Sequence, residues 1–225
     1  MDRNEHLPMT IAPMPFPPSQ RPWVVETTPG PVITQESDAP GWEEKGPDLD
    51  RQAVINGIFL RGKERVDPAE VPDTVRLLKK SKRLPDGFKV YAAMLVVTGE
   101  VKAVIEELDP GRHQFVPIRV TERDGTPIEK DWHVLVITHR QDSLVPEQSE
   151  LKYDGRSWGP TYYWLRGPEM VAFDPARLDD SHLWWEDMLE GGHALLMSHE
   201  LHEALKARGL RMLRQKRSRK FELTP

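Results

Sequence analysis

Two eleven-residue stretches, LVVTGEVKAVI (95–105) and LLMSHELHEAL (195–205), decide the fold that this sequence predicts. Each begins with apolar residues typical of a buried strand, continues through Thr98 or Ser198 as a helix N-cap, and ends in an amphipathic helical pattern. The stretches align without a gap at a spacing of one hundred residues and are identical at their first and sixth positions. Duplication of one unit and convergence on one capping pattern both explain the similarity.

The chain around the first stretch predicts a β-α-β-β order. Apolar runs, breakers and turn signals mark the ends of its elements. The predicted elements are a strand over 90–97, a helix over 101–108 that ends at Asp109-Pro110-Gly111, a strand over 113–122, a hairpin turn at Asp124-Gly125 and a strand over 132–140.

Two strand-cap-helix units of this kind predict an α+β fold, with mostly antiparallel sheets and helices on one face. A loop rich in Ser, Pro, Gly and Glu over 143–160 suggests a boundary between two halves. The predicted domains are a Pro-rich N-terminal arm over 1–50, a first α+β half over 51–150 and a second half with a basic tail over 151–225, the two halves forming either separate units or one continuous domain over 51–225.

Local patterns make three further predictions. The arm holds ten of the 21 prolines, so it is not expected to form a regular domain. Within it, Trp23–Glu26 and Val32–Thr34 flank a Pro-Gly-Pro turn and predict a pair of short edge strands. Residues 72–83 suggest a short surface helix capped by Asp73 or Thr74, and 161–178 suggest one or two strands.

Composition excludes several classes of protein. The sequence has 225 residues, of which 38% are hydrophobic and 30% charged, and no apolar run approaches the roughly 20 residues that span a bilayer. Its first 20 residues contain five prolines and lack a secretory apolar core. Because there is no cysteine, disulfides, thiol nucleophiles and cysteine-ligated zinc are excluded. We expect a soluble cytoplasmic protein without a cofactor.

Charge is distributed unevenly along the chain. Residues 36–50 carry six acids against Lys45, whereas residues 206–220 carry eight bases and no acid. Such a basic tail could contact phosphates, but it has no aromatic residue before Phe221 for base stacking. A solvated tail, or one that engages an acidic partner, is the expected interpretation, and nucleic acid is not the expected partner.

The histidines of HELHE raise the question of a metal site. His199 and His202 are three residues apart, whereas the zinc motif His-Glu-x-x-His needs four. The Glu190–His193 spacing fits a carboxylate-bridged di-metal helix, but Gly191-Gly192 interrupts it. We therefore expect His202 on a solvated flank and no metal site.

The remaining histidines leave an acid-base arrangement open without specifying one. Strand or surface positions are the expected interpretation, since no nucleophile elbow, phosphate-binding loop or dinucleotide fingerprint occurs. The residues concerned are His113, His133 and His139, with Asp109, Asp131 and Asp142 as their candidate carboxylates.

The segment SHLWWEDMLEGG (181–192) suggests a contact with another protein. Adjacent tryptophans on a strand point to opposite sides, so one of them could be exposed, and tryptophan is enriched at interaction hot spots. Packing of both in the core is the alternative. The predicted partner-binding residues are Trp158, Trp184, Trp185, Glu186, Asp187 and Glu190.

The order of motifs over residues 84–210 resembles the immunity-protein family of bacterial polymorphic toxin systems. The resemblance covers a little over half of the chain and includes no catalytic motif. It is carried by LPDGF (84–88), the Thr98 unit, LDPGRHQFVPIRVTERDGTPI (108–128), VLVITHRQDSLVPEQSE (134–150), MVAFDPARL (170–178) and ALLMSHELHEALKARGL (194–210).

The resemblance implies a non-enzymatic cytoplasmic protein that binds and neutralises a cognate toxin by direct contact. Uneven surface charge agrees with this, because complementary charge directs association and partner choice. Two other classes stay open from the residues alone: an enzyme that uses histidine and carboxylates, and a nucleic-acid-associated regulator that uses the basic tail.

Overall fold

A computed structural model describes residues 23–26, 33–34, 64–77, 84–90, 94–149, 151–154, 161–164, 172–188, 195–212 and 214–217. These ranges contain thirteen strands and two α-helices. The strands are β1 (Trp23–Glu26), β2 (Ile33–Thr34), β3 (Thr74–Leu77), β4 (Gly87–Val90), β5 (Met94–Thr98), β6 (Gln114–Thr121), β7 (Trp132–Val136), β8 (Arg140–Gln141), β9 (Leu151–Asp154), β10 (Thr161–Trp164), β11 (Leu183–Glu186), β12 (Leu195–Met197) and β13 (Arg214–Arg217), and the helices are α1 (Gly99–Leu108) and α2 (His199–Ala207).

The strands form two large sheets and one small one. The order is β2-β3-β6-β7-β5-β4 in the six-stranded sheet, β13-β1-β12-β11-β8 in the five-stranded sheet and β10-β9 in the third. Neighbouring strands are antiparallel except β3 with β6 and β8 with β11, so each large sheet is mixed. The predicted α+β class is confirmed.

Strands β5 and β7 of the six-stranded sheet are buried on both faces. On β5, Leu95 and Val97 belong to one core cluster, while Met94 and Val96 belong to a second. A strand whose alternating side chains all meet apolar neighbours reads as a continuous apolar run, which is what the sequence has here. The first cluster also contains the apolar faces of α1 and α2 and residues of β11 and β12, so the helices share one core with both large sheets.

The two helices begin as the sequence predicts. Thr98 Oγ1 accepts a hydrogen bond from Val101 N at 3.4 Å, and Ser198 Oγ accepts one from Leu201 N at 3.0 Å. Each bond satisfies one of the backbone donors that have no partner within the first turn of a helix. Gly209, at a φ of 67°, follows the end of α2, where a left-handed residue is expected.

The predicted surface helix over 72–83 is wrong where the structure describes it, because residues 74–77 form β3. Val75 and Leu77 are buried while Thr74 and Arg76 are partly exposed, and this alternation has the period of a strand. The capping residues at its start misled the interpretation, since Asp and Thr also occur at turns before strands. Residues 78–83 lie outside the described ranges.

The strands of the arm exist but do not pair with each other as predicted. β1 lies inside the five-stranded sheet between β12 and β13, and β2 pairs with β3 at the edge of the other large sheet. The predicted loop over 143–160 contains strand β9, which pairs with β10. How the chain divides into domains stays a prediction.

Candidate functional site

The predicted partner-contact segment forms strand β11 and the turn after it. Trp184 and Trp185 are 2% and 1% exposed, and both lie in the core cluster that contains the helices. The Glu186 side chain is also buried, whereas that of Asp187 is 40% exposed. Trp158 and Glu190 lie outside the described residues. The assignment of this segment to partner contact stays a prediction, and among its four described members Asp187 is the one that solvent reaches.

Glu186 is a buried carboxylate held by hydrogen-bond donors of a distant segment. Ser143 N donates to both of its oxygens, at 3.1 and 3.2 Å, and Leu144 N donates to Oε1 at 3.3 Å. The hydroxyl of Ser143 donates to Oε2 at 2.6 Å. These bonds fasten the segment after β8 to β11 across a separation of more than forty residues.

Burial raises the pKa of Glu186 to about 7, although the hydrogen bonds from Ser143, Leu144 and Met188 partly offset the rise. Removing a carboxylate from water disfavours its charged form, and donors to the charged form favour it. The carboxyl group of Glu186 therefore changes its ionisation near neutral pH.

Asp187 extends this connection to the surface. Its carboxylate forms an ion pair with Arg140 Nε, and its backbone N–H donates to Gln141 O at 2.8 Å. Strand β8 is thus joined to the end of β11 by backbone and side-chain bonds together. We call Arg140, Ser143, Leu144, Glu186 and Asp187 the Glu186 site.

A second polar cluster joins the end of α1 to the start of β11. Asp109 is 1% exposed, and its two oxygens accept from His182 N at 3.0 and 2.9 Å. His113 Nε2 lies 3.5 Å from the same carboxylate, and Arg112 Nε lies 3.6 Å from it. Burial would raise the pKa of Asp109, but the bonds from His113 and the His182 backbone outweigh it and lower this pKa.

The other side chains of this cluster connect further elements. Arg112 Nη2 donates to Asp180 at 2.7 Å, and His139 Nε2 lies 2.8 Å from Asp179. His182 Nδ1 lies 2.8 Å from Ser198 Oγ, so the cap of α2 belongs to the same network. The carboxylates of the cluster accept hydrogen bonds from backbone N–H groups and lie beside cationic side chains. These contacts join separate elements of the fold, so a structural role explains the geometry of the cluster.

The histidine–carboxylate pairs raised by the sequence have the following positions. His113 lies beside Asp109, and His139 lies beside Asp179. His133 Nε2 lies 3.3 Å from Lys102 Nζ and 3.8 Å from Asp131. Burial and the Lys102 ammonium lower the pKa of His133, which favours the neutral form of its ring.

His199 and His202 lie on the first turns of α2 with their rings stacked at 6.4 Å between centroids. Among the described residues, no group of three or more His, Asp or Glu side chains is arranged to hold a metal ion. His193 lies outside these residues. The His202 side chain is 15% exposed and its Nε2 lies 3.6 Å from Glu203 Oε1, so it is less solvated than the sequence predicts.

The basic C-terminal segment is not simply a solvated tail. Arg214–Arg217 forms β13, at one edge of the five-stranded sheet. Lys206 donates to Glu203 at 3.2 Å, and Arg208 forms an ion pair with Glu107 of α1. Part of the positive charge is therefore matched within the protein.

Sequence reasoning missed the Ser143 donors to Glu186 and the His182 donor to Asp109. Ser143 lies within a stretch quoted for the family resemblance, and Asp109 is predicted as a helix stop and as a candidate carboxylate for a histidine. Neither carboxylate has a local signal for these bonds, because Ser143 and His182 lie more than forty residues away from the carboxylates to which they donate. The available hint at Glu186 was a carboxylate that directly follows two tryptophans in the sequence.

In the parts of the chain that the structure describes, no helix is long and apolar enough to cross a bilayer. No curated protein matches the sequence. A family model matches residues 25–218, and it describes an immunity protein family, which is typically non-enzymatic. Since the match spans most of the sequence, the chain belongs to the immunity protein family Imm11.

Proposed function

We propose that the protein binds one cognate toxin and neutralises it by direct protein–protein contact. The observation that carries the proposal is the family match over residues 25–218, which includes both strand-cap-helix units and the Glu186 site. Family membership implies a toxin as the partner, and inhibition by a folded protein requires no chemistry from the inhibitor. Blocking the toxin's active surface is the proposed mechanism.

The physical properties of the chain support a folded binder. Two apolar clusters fix the helices and the six-stranded sheet, so a surface built on these elements loses little conformational entropy when it binds. Charge is segregated, with an excess of acids over 36–50 and of bases over 206–220. Segregated charge accelerates association with a partner of complementary potential and disfavours other partners.

We assign part of the contact to the turn that follows β11. Trp184 and Trp185 lie inside the core, so in this proposal they support the strand, and Asp187 is the residue that reaches the partner. The Glu186 bonds to Ser143 and Leu144 hold the strand end and the β8 segment together. A rigid contact of this kind increases affinity mainly because few side chains and loops lose conformational entropy on binding.

Co-expression with the product of the neighbouring gene tests the function. We expect that product to arrest growth alone, the two proteins together to restore growth, and the two to purify as a complex. Failure of both rescue and complex formation would remove the proposal for that pair. Rescue without a complex would contradict the direct-contact mechanism while leaving neutralisation in place.

The contact assignment has its own test. Asp187→Ala should weaken the complex without changing the melting temperature by more than a few degrees, because an exposed ion pair contributes about 1 kcal/mol or less to stability. Glu129→Ala, at an exposed position between β6 and β7, is the matched control. Equal affinity of the two variants and the natural chain would place the contact elsewhere.

A further inference from the structure

The strand-cap-helix stretch of α1 lies in a defined antiparallel arrangement. The hairpin β4–β5 precedes the helix, and Thr98 donates its backbone N–H to Asp86 O at 2.8 Å. β7 lies beside β5 and pairs His133 with Val97. β6 lies on the other side of β7 and pairs Pro117 with the same His133. The spatial order is β6-β7-β5-β4, and all three pairs are antiparallel.

The stretch of α2 lies in the same arrangement. The hairpin β11–β12 precedes the helix, and Ser198 donates its backbone N–H to His182 O at 2.8 Å. β1 lies beside β12 and pairs Trp23 with Met197. β13 lies on the other side of β1 and pairs Arg217 with the same Trp23. The spatial order is β13-β1-β12-β11, again with three antiparallel pairs.

The registers of β6-β7-β5 and of β13-β1-β12 agree residue by residue. Val97 and Met197 are one hundred residues apart, and so are Pro117 and Arg217, which pair with the equivalent inner-strand residues. The spacing seen in the sequence over eleven residues therefore continues through each helix and into the strand after it. Capping and periodicity make one helix start resemble another, but they do not fix the helix-to-strand length or the order of four strands.

From these registers we infer that the protein contains two copies of one β-β-α-β-β unit and that the N-terminal strand β1 completes the second copy. In the first copy, β7 follows β6 directly along the chain. In the second copy, the place of β7 is taken by β1, which precedes the rest of the unit in the sequence. The second copy is thus a circular permutation of the first.

The position of β1 has a consequence for how the chain can be connected. Trp23, the first residue of β1, pairs with Arg217, the last residue of β13. Directly opposite residues of an antiparallel pair have Cα atoms about 5 Å apart. The chain could therefore pass from β13 into β1 as it passes from β6 into β7, without moving either strand.

A circular permutant that retains every residue tests the inference. Its chain begins at Thr27, runs to Pro225, continues into Met1 and ends at Glu26, so residues 218–225 and 1–22 connect β13 to β1. A connection of this length closes at a modest entropic cost, since that cost grows only with the logarithm of loop length. We expect cooperative unfolding at a melting temperature close to that of the natural order.

Two controls make the outcome decisive. Val24→Pro removes a backbone donor from a strand that is paired on both sides, and it should lower the melting temperature of both connectivities by a similar amount. The chain 27–225, which lacks β1, should melt well below both. A permutant that melts like the 27–225 chain, or a Val24→Pro change without effect in either connectivity, would overturn the inference.

The permutant differs from the natural chain in two ways: the chain is broken after Glu26, and Pro225 is joined to Met1. Cutting the natural chain at an engineered protease site after Glu26 measures the effect of the break alone. The inference expects residues 1–26 to stay bound after cleavage, because β1 is held by two neighbouring strands. Release of that fragment with no fall in the melting temperature of the remainder would contradict the role assigned to β1.

Discussion

Glu186 carries the clearest pH dependence expected of a single side chain. Its pKa in the folded protein is about 7, above the ordinary value of 4.5, so between these values the folded state binds more protons than the unfolded state. The free energy of unfolding should therefore be higher near pH 4.5 and fall as the pH rises to 7. At about 1.4 kcal/mol per pKa unit, the loss is at most about 3 kcal/mol.

The Glu186→Gln variant isolates this effect. A glutamine amide can accept from Ser143 N and Leu144 N and donate to Ser143 Oγ, so the shape and most bonds persist. His133 acts in the opposite direction, because a lowered histidine pKa reduces stability as the pH falls below about 6.5. Urea denaturation from pH 5 to 8 should show a fall in the natural chain relative to the variant. Parallel curves would contradict the assignment.

The two helix caps should differ in their contribution to stability. Loss of a Ser or Thr cap costs about 1 kcal/mol. Ser198 accepts a shorter bond than Thr98 and also contacts His182 Nδ1 at 2.8 Å, so Ser198→Ala should be the more destabilising change. Urea denaturation of both alanine variants measures the difference, and Thr98→Ser is the control that should retain stability. A Thr98→Ser loss equal to that of Thr98→Ala would contradict a capping role.

At the scale of elements, α2 should owe its stability to one buried stripe. Leu201 is fully buried in the cluster shared with α1, and replacing such a leucine with alanine costs about 2–5 kcal/mol. Lys206, on the exposed side, pairs with Glu203 of the same helix, and Lys206→Ala should cost less than about 0.5 kcal/mol. Chemical denaturation of both variants compares them, and similar losses would show that the core does not hold this helix.

Elements with strong local signals could be predicted from the sequence. Both helices could be, because the cap, the apolar stripe and the breaker all lie within about a dozen residues. β3 could not, because the four residues TVRL carry too short an alternation to outweigh a capping pattern. The neighbours of β1 in the sheet could not be predicted either, because local alternation identifies a strand but not the strands with which it pairs.

The candidate site was predictable only in part for the same reason. The paired tryptophans and acids over 184–187 predict a functional segment, and this segment does contain a buried carboxylate with a network of hydrogen bonds. Its donors on Ser143 and Leu144 belong to a distant segment, so no local pattern could reveal them. Burial of both tryptophans likewise depends on α1, α2 and strands from both large sheets.

At the scale of the whole molecule, the two-copy arrangement and the proposed function depend on different properties of the protein. The permuted repeat concerns how the chain is connected and is tested by stability alone. Neutralisation concerns a surface and is tested by a partner. A permutant that folds and still rescues growth would show that binding depends on the assembled surface and not on where the chain begins. A permutant that folds normally without rescuing growth would place the natural N-terminal connection in the contact.

The most direct measurement is a titration of the purified cognate toxin with the purified chain, following toxin activity and complex formation in the same samples. Direct neutralisation predicts that activity falls to background at a fixed ratio of the two proteins and that the complex accumulates in step with the loss. Full toxin activity in a large excess of the folded chain would contradict the account.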